Sequence, residues 1–353
     1  MTKRHISLLL CTAALVGSGV GAAWPTSLPK TYLVHQGESI QKAVDSAKSG
    51  DTVLLFPGVY HESVKVTTPG LTLRGMGHAT VLAPPAGKAT GDCGERGNGI
   101  CVAGTKTKRL KDVTVSDLTL TGFPRAGLIA VGTDGLTVQH VTAANNGLWG
   151  IAEERSVRSV IRQNTAQDNG DAGVFLANTI TAEQGATETQ GTLISHNRLE
   201  GNRIGVTVRR LRDLTVAENN VSGNCAGVFV VGDENKPKAG NLTVRGNWVV
   251  ENNKYCPKTA RLPYLQGSGI VLTGAEDTRV TGNAVVGNTG KSPLSGGVVL
   301  FKSFVGVTSD RNRISDNTLD SNTPADIVNQ ESAKRNNTFE HNVCWASKPA
   351  GLC

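Results

Sequence analysis

Again and again in this chain an asparagine is followed five residues later by another, as in Asn164/Asn169, Asn197/Asn202, Asn219/Asn224, Asn247/Asn252, Asn283/Asn288, Asn317/Asn322 and Asn337/Asn342. Two looser copies, Asp117/Gly122 and His140/Asn145, come before them. A short apolar alternation fills the gap, as in Asn197-Arg-Leu-Glu-Gly-Asn202. The first members recur every 20 to 36 residues. Self-similarity at that period specifies a solenoid, because each unit can bury its apolar face only against its neighbours.

The segments between the pairs read as strands. Each starts at a glycine: Gly127, Gly150, Gly173, Gly205, Gly227, Gly269 and Gly297. One residue on come Leu128, Ile151, Val174, Val206, Val228, Ile270 and Val298, and three on come Ala130, Glu153, Leu176, Val208, Val230, Leu272 and Leu300. Period-two alternation turns both sets inward. With 42 glycines and only 4% aromatic residues, the composition suits short strands and tight turns. The expected fold is all-β: a single right-handed parallel β-helix of about ten coils, about 50 Å long at the inter-strand spacing. An inward Asn at a turn both donates and accepts, so like residues stack as a ladder and their role is structural.

Ahead of the coils, Ser39 to Lys48 reads as an amphipathic helix with Ser39 as N-cap and Gly50 as stop, covering the open end of the first coil. The run Ile40-Gln41-x-Ala43-Val44-x-x-Ala47-x-x-Gly50-Asp51-Thr52-Val53, then Pro57-Gly58-x-Tyr60-x-Glu62, resembles the opening of secreted right-handed parallel β-helix repeat proteins of the pectin-lyase-like superfamily. The resemblance extends over roughly residues 32–343. That superfamily includes polysaccharide lyases, epimerases, surface proteins and periplasmic copper-maturation proteins of nitrous oxide reductase. The resemblance therefore implies a fold and leaves the activity open.

Residues 1–23 read as a signal peptide: Lys3, Arg4 and His5, then an apolar stretch from Ile6 to Val16, then Gly21-Ala22-Ala23. The apolar stretch is too short for a membrane span. Residues 24–353 form the β-helix domain. Cleavage lowers the formal charge from +7 to +5, a balance that favours acidic polymers and gives no nucleic-acid signature. Six cysteines then remain, and the repeat suggests Cys93–Cys101, Cys225–Cys256 and Cys344–Cys353 as pairs in an oxidising compartment, extracellular or periplasmic. No CxxC, HxH or HExxH spacing supports a transition metal. Calcium is the one cofactor left open, and a monomer is expected.

Insertions near 179–191, 233–240 and 253–267 would wall a groove beside the Gly-entry strands. The outward row there is apolar (Ile129, Ala152, Phe175, Thr207, Phe229, Val271, Val299), and coverage by those loops is the preferred reading. Glu153 occupies an inward slot that is aliphatic elsewhere. Glu153, Glu154, Arg155, Arg209 and Arg210 are the candidate catalytic residues, with Arg155 two residues on from Glu153 and Arg209 and Arg210 two coils away along the rod. Asn178, Asp233, Glu234 and Lys302 are the candidate substrate contacts. A lyase needs a base and a cation beside the substrate carboxylate, and a hydrolase needs two carboxylates. The competing reading places Glu153 at the surface, paired with an arginine. His140 stands in a ladder slot, His196 and His341 point outward, and Trp248 is placed in the core. The Gly-His-Gly segment of polygalacturonase-like helices, the Asp-Pro-His-Asp segment of alginate epimerases and the Arg-Pro segment of pectate lyases are all missing. Two functions compete: a lyase or hydrolase acting on a polysaccharide, an acidic one included, and a non-catalytic surface- or matrix-binding scaffold. A copper-maturation role has no His or Met cluster to support it.

Overall fold

Each coil turns its corners on residues in the left-handed backbone region. In one coil these are Asp213 (φ 57°), Glu218 (φ 57°) and Gly223 (φ 64°). A left-handed residue bends the chain sharply and lets the next side chain point inward. For a residue with a Cβ the conformation costs about 1–2 kcal/mol, so something must hold it. The ladder asparagines do. His196, Glu218 and Asp316 are left-handed and directly precede Asn197, Asn219 and Asn317.

The computed structural model describes residues 28–105, 107–332 and 335–353; the proposed signal peptide lies outside them. Its strands pair in parallel throughout. Eleven stack as one broad sheet, from Val64–Val66 through Trp149–Glu154, Ala172–Ala177, Ile204–Arg209 and Ala226–Val231 to Ser347–Lys348. A second sheet of 21 strands, the longest of them Thr187–Ser195, forms the other faces of each coil. The chain is thus an all-β parallel solenoid. The register brings Leu128, Ile151, Val174, Val206, Val228, Ile270 and Val298 above one another, all buried.

Two Asn ladders run along the rod. In the first, the amide of Asn164 meets Asn197, then Asn219, Asn247, Asn283, Asn317 and Asn342. In the second, Asn146 leads to Asn169, Asn202, Asn224, Asn252, Asn288 and Asn322. Each Oδ1 accepts both the main-chain and the side-chain N–H of the preceding rung; Asn219 Oδ1 takes Asn197 N at 3.0 Å and Nδ2 at 2.9 Å. The five-residue spacing is one inward Asn, a three-residue strand with its middle residue inward, a left-handed residue, and the next Asn. In the coil 197–202 that middle residue is Leu199, fully buried. The entry glycines follow from the same packing. A Cβ on Gly173 would sit 2.9 Å from both Asn202 Nδ2 and Gly205 O.

Some slots differ from the sequence reading by one position. The early rungs are Val141/Asn146 and Leu118/Phe123, since Val141 N donates to Asn164 Oδ1 and Phe123 N to Asn146 Oδ1. His140 and Asp117 are instead the left-handed residues before them, facing solvent. Asn337 belongs to a third corner, where it receives Asn312, while Asn342 ends the first ladder. Trp248 is 55% exposed rather than core, because the three-residue strand Trp248–Val250 has only Val249 inward.

The helix is Ile40–Ser46, with Ser39 Oγ accepting Lys42 N. The opening motif has a structural purpose. Glu62 accepts from Ser39 Oγ and from the main-chain N–H groups of Ile40 and Gln41, satisfying the helix start. Gln41 exchanges hydrogen bonds with the Lys65 backbone at 3.0 and 2.7 Å, imitating a neighbouring strand at the edge of the broad sheet. Three disulfides join Cys93–Cys101, Cys225–Cys256 and Cys344–Cys353, with Cα separations of 5.8, 6.0 and 5.4 Å. Among the described residues no helix is long and apolar enough to cross a membrane.

Replacing a central rung orphans buried N–H groups above it. Asn219→Ala is expected to lower unfolding stability by about 2 kcal/mol in urea titration. Asn342→Ala, at a half-buried last rung, is expected to lower it clearly less.

Candidate functional site

The outer face of the broad sheet is where the candidate residues were expected to converge. Phe175, Phe229, Val271, Val299 and Val328 do line it, and none is more than 7% exposed. They belong to a second apolar cluster with Trp149, Leu265, Leu294 and Phe301, against which Ile180 and Leu262 pack. Those last two come from opposite sides: Ile180 from the segment after the strand Ala172–Ala177, and Leu262 from the segment before Ser268–Thr273. The loops cover the sheet, as the preferred reading had it. Over that stretch the face is filled rather than open.

Two buried arginines hold these loops, and they flank the same strand, Ile204–Arg209. Arg210 is 1% exposed. Its Nε donates to Asn178 Oδ1 (3.0 Å), its Nη1 to Asp233 Oδ2 (3.0 Å), and its Nη2 to the carbonyls of Thr179 (2.9 Å) and Ala182 (2.7 Å). Asn178 Nδ2 closes its own loop on Gln184 O and Gly185 O, and Asp233 Oδ1 accepts from Asn235. So Arg210, Asn178 and Asp233 form one structural knot joining two insertions. At the other end of the strand, Arg203 donates to Pro257 O (2.7 Å) and Pro263 O (3.4 Å). It neighbours Asp171, whose carboxyl burial pushes up and which Trp149 Nε1–H holds at 3.0 Å.

The other candidates disperse. Arg209 lies two coils from Glu154 in register, as expected, with Ala177 between them. Its Nη1 reaches only Ile180 O, at 3.4 Å. Burial, then Arg210, then Arg261, bring its pKa down to about 10, so it stays charged. Glu234 and Lys302 are exposed. Glu154 is half-buried, with Oε1 3.3 Å from Arg155 Nη2. Arg155 is left-handed (φ 52°), on a corner that Gly132 and Gly274 occupy in other coils. Beside this pair is an open depression of about 160 Å³ lined by Arg109, Arg155, Ser156, Thr187 and Glu188.

A larger concavity, about 480 Å³, lies on the side of the 21-stranded sheet. It brings together His78, Asp117, His140 and Thr142. Asp117 binds His140 Nδ1 at 3.3 Å and Arg74 Nε at 3.1 Å, and His78 Nδ1 meets Thr142 Oγ1 at 3.1 Å. No local signal along the chain marks this grouping, because its members come from three different coils. Among the described residues no three His, Cys, Asp or Glu side chains cluster as a metal site would require.

Glu153 is inward, between Ala130 and Leu176, and 2% exposed. Both Glu153 Oε1 and the nearby Ser159 hydroxyl are buried without a hydrogen bond of good geometry. Burial pushes the carboxyl from 4.5 up to about 7, against a small opposing pull from Ser159. The folded protein therefore prefers the protonated acid. The penalty is absent below the unfolded pKa, grows between pH 4.5 and about 7, and is complete above that range. Its size is about 3 kcal/mol. Glu153→Leu, which copies Leu176 in the next coil, is expected to raise the melting temperature at pH 8 and to flatten the decline seen in the parent between about pH 5 and pH 8.

Comparison with known proteins places this architecture. Among curated protein sequences none matches the chain. Among solved structures, the A-module of a mannuronan C-5 epimerase from Azotobacter vinelandii superposes with a TM-score of 0.56 at 19% identity, covering 86% of this chain and 90% of that one. An alginate lyase from Paenibacillus sp. gives 0.57 at 15%, covering 82% and 94%. A family 28 exopolygalacturonase from Yersinia enterocolitica gives 0.56 at 13%, covering 91% and 77%. At such identities the likeness is one of fold. The family model described as "Right handed beta helix region" matches residues 58–184, 98–261 and 178–304. The matched stretches together span well over half of the chain, which therefore belongs to the right-handed β-helix family.

Proposed function

We propose that this protein is secreted and binds or processes an acidic polysaccharide, with the Arg109/Arg155 depression at the end of the broad sheet as a contact point. One observation carries the reading. Two guanidinium groups line one open depression, and Glu154 sits 3.3 Å from Arg155 beside it. Arginine grips carboxylates with paired, charge-assisted hydrogen bonds, and a neighbouring carboxylate supplies the base that proton abstraction from a uronate needs. The structural neighbours named for mannuronan, alginate and polygalacturonate chemistry support this class of polymer. Three disulfides support an oxidising, extracytoplasmic location.

Recognition without bond cleavage is the second reading. It is favoured by Glu153 being sealed in the core and Arg210 being committed to the loop knot, which leaves Arg155, with Glu154 paired beside it, as the residue of the original catalytic set that lines the depression.

The purified protein is expected to bind polyuronates in titration calorimetry, and Arg155→Ala to weaken that binding roughly tenfold or more. Ultraviolet absorbance of an unsaturated uronate product, lost in Glu154→Gln, identifies a lyase. Binding without any product selects the scaffold reading. Absence of both across neutral and acidic polysaccharides overturns the proposal.

A further inference from the structure

The loop between Asn252 and Gly267 is built more firmly than a connection needs to be. Cys256 is tied to Cys225 by a disulfide. Cys256 and Leu265 exchange main-chain hydrogen bonds at 2.9 and 3.0 Å, the one antiparallel bridge among the described pairings. The buried Arg203 guanidinium fastens Pro257 and Pro263 from beneath. Leu265 is fully buried, and the Tyr264 hydroxyl donates to Lys291 O. Asn253 links the loop to the following coil through Gly287 O and Thr289 N.

What this frame presents outward is aromatic and cationic. Tyr255 is 61% exposed, and its ring centre lies 5.7 Å from that of Tyr264, with the planes inclined by 32°. Lys254, Lys258, Arg261 and, on the neighbouring segment, Lys291 are exposed. No Asp or Glu occurs from Asn252 to Gln266. Lys254 Nζ contacts Gly201 O, which leaves Lys258, Arg261 and Lys291 as the cations without a described partner. Arg261 also lies near enough to Arg209 to disfavour the charge there; Asp233 and Glu183 offset it, and Asp233 is already bound to Arg210. A rigid loop that holds the exposed Tyr255 against the half-buried Tyr264, beside cations without a described partner, presents a surface that its own packing does not require. Aromatic faces carry partial negative charge and accept the C–H edges of a pyranose ring, while the cations match carboxylates at the rim.

We propose that the loop 253–267, together with Lys291, is a docking platform for a polyuronate chain, with sugar faces on Tyr255 and Tyr264 and carboxylates on Lys258, Arg261 and Lys291. This rests on the polysaccharide reading above and adds to it a second contact, on the opposite edge of the broad sheet from Arg155. The loop would hold the polymer independently of any chemistry at Glu154.

The test is titration of the full mature protein with oligogalacturonate and oligomannuronate, against neutral dextran and anionic phospholipid vesicles. Variants are Tyr255→Ala, the pair Lys258→Ala with Arg261→Ala, and Arg155→Ala, each checked by thermal melting; the exposed side chains leave the fold intact. Tyr255→Ala is expected to weaken uronate binding about tenfold. The double variant is expected to weaken it further and to flatten its dependence on salt. Uronate binding that falls only in Arg155→Ala overturns the platform and leaves the polysaccharide reading standing. Binding of neutral dextran alone overturns the platform and the acidic-polymer reading with it. Binding of vesicles but of no polysaccharide overturns both.

Discussion

The carboxamide of asparagine is the interaction on which the rest of this protein depends. It is one of the few uncharged side chains that donates and accepts at once. At a solenoid corner it can therefore satisfy the backbone of the coil on one side while pairing with its twin on the other. Asn219 does all of this: it accepts from the Asn197 backbone and amide, and it donates to Ile194 O and Asn247 Oδ1. The corner before it needs a left-handed residue, whose strain of order 1–2 kcal/mol these bonds offset. Once the ladder holds two corners fixed, each coil must rise by one strand spacing. The inward aliphatic rows then fall into register without further instruction.

That constraint decides where variation can go. Corners carrying the ladder keep one length, so additional residues collect at the two edges of the broad sheet. There they meet an outer face of Phe175, Phe229, Val271 and Val299, which excludes water by packing against Ile180 and Leu262. The strand Ile204–Arg209 organises both edges at once. Arg203 at its start and Arg210 after its end project guanidinium groups into opposite loops, where both donate to backbone carbonyls, Arg210 also to Asn178 and Asp233, while Arg203 Nε keeps no partner. A charged group fits such a position because several fixed acceptors replace its water. These two arginines give the loops defined shapes, and defined shapes are what permit Tyr255 or Arg155 to present a surface.

Much of this was legible beforehand, and for a physical reason. Solenoid repeats are local: the Asn pairs, the entry glycines and the alternation each express contacts between adjacent coils, so period and register can be read from spacing. The three disulfides followed from the same arithmetic. The errors were single-residue ones. At the first coils the rung is Val141 rather than His140, because a hydrophobic residue replaces Asn there and removes the marker. At the last, Asn337 belongs to a third corner, where asparagine also serves. Trp248 looked like core through its neighbour Asn247, yet it falls on the outward beat of a three-residue strand.

The sequence by itself determined that the chain winds into a parallel β-helix, which side chains point inward, and that Glu153 stands in an aliphatic slot. It could not determine what a polar side chain would meet, since that depends on loops arriving from other coils. Arg210 looked like a catalytic cation and is a loop anchor, because residues 179, 182 and 233 close around it. Glu153 looked like an acid beside a groove and faces the interior, where no arginine reaches it. Only the tertiary structure assembled His78 with His140, or Tyr255 with Tyr264 over the Arg203 pin. Stacking fixes one dimension from local spacing, whereas the surface is set by insertions whose paths no repeat encodes.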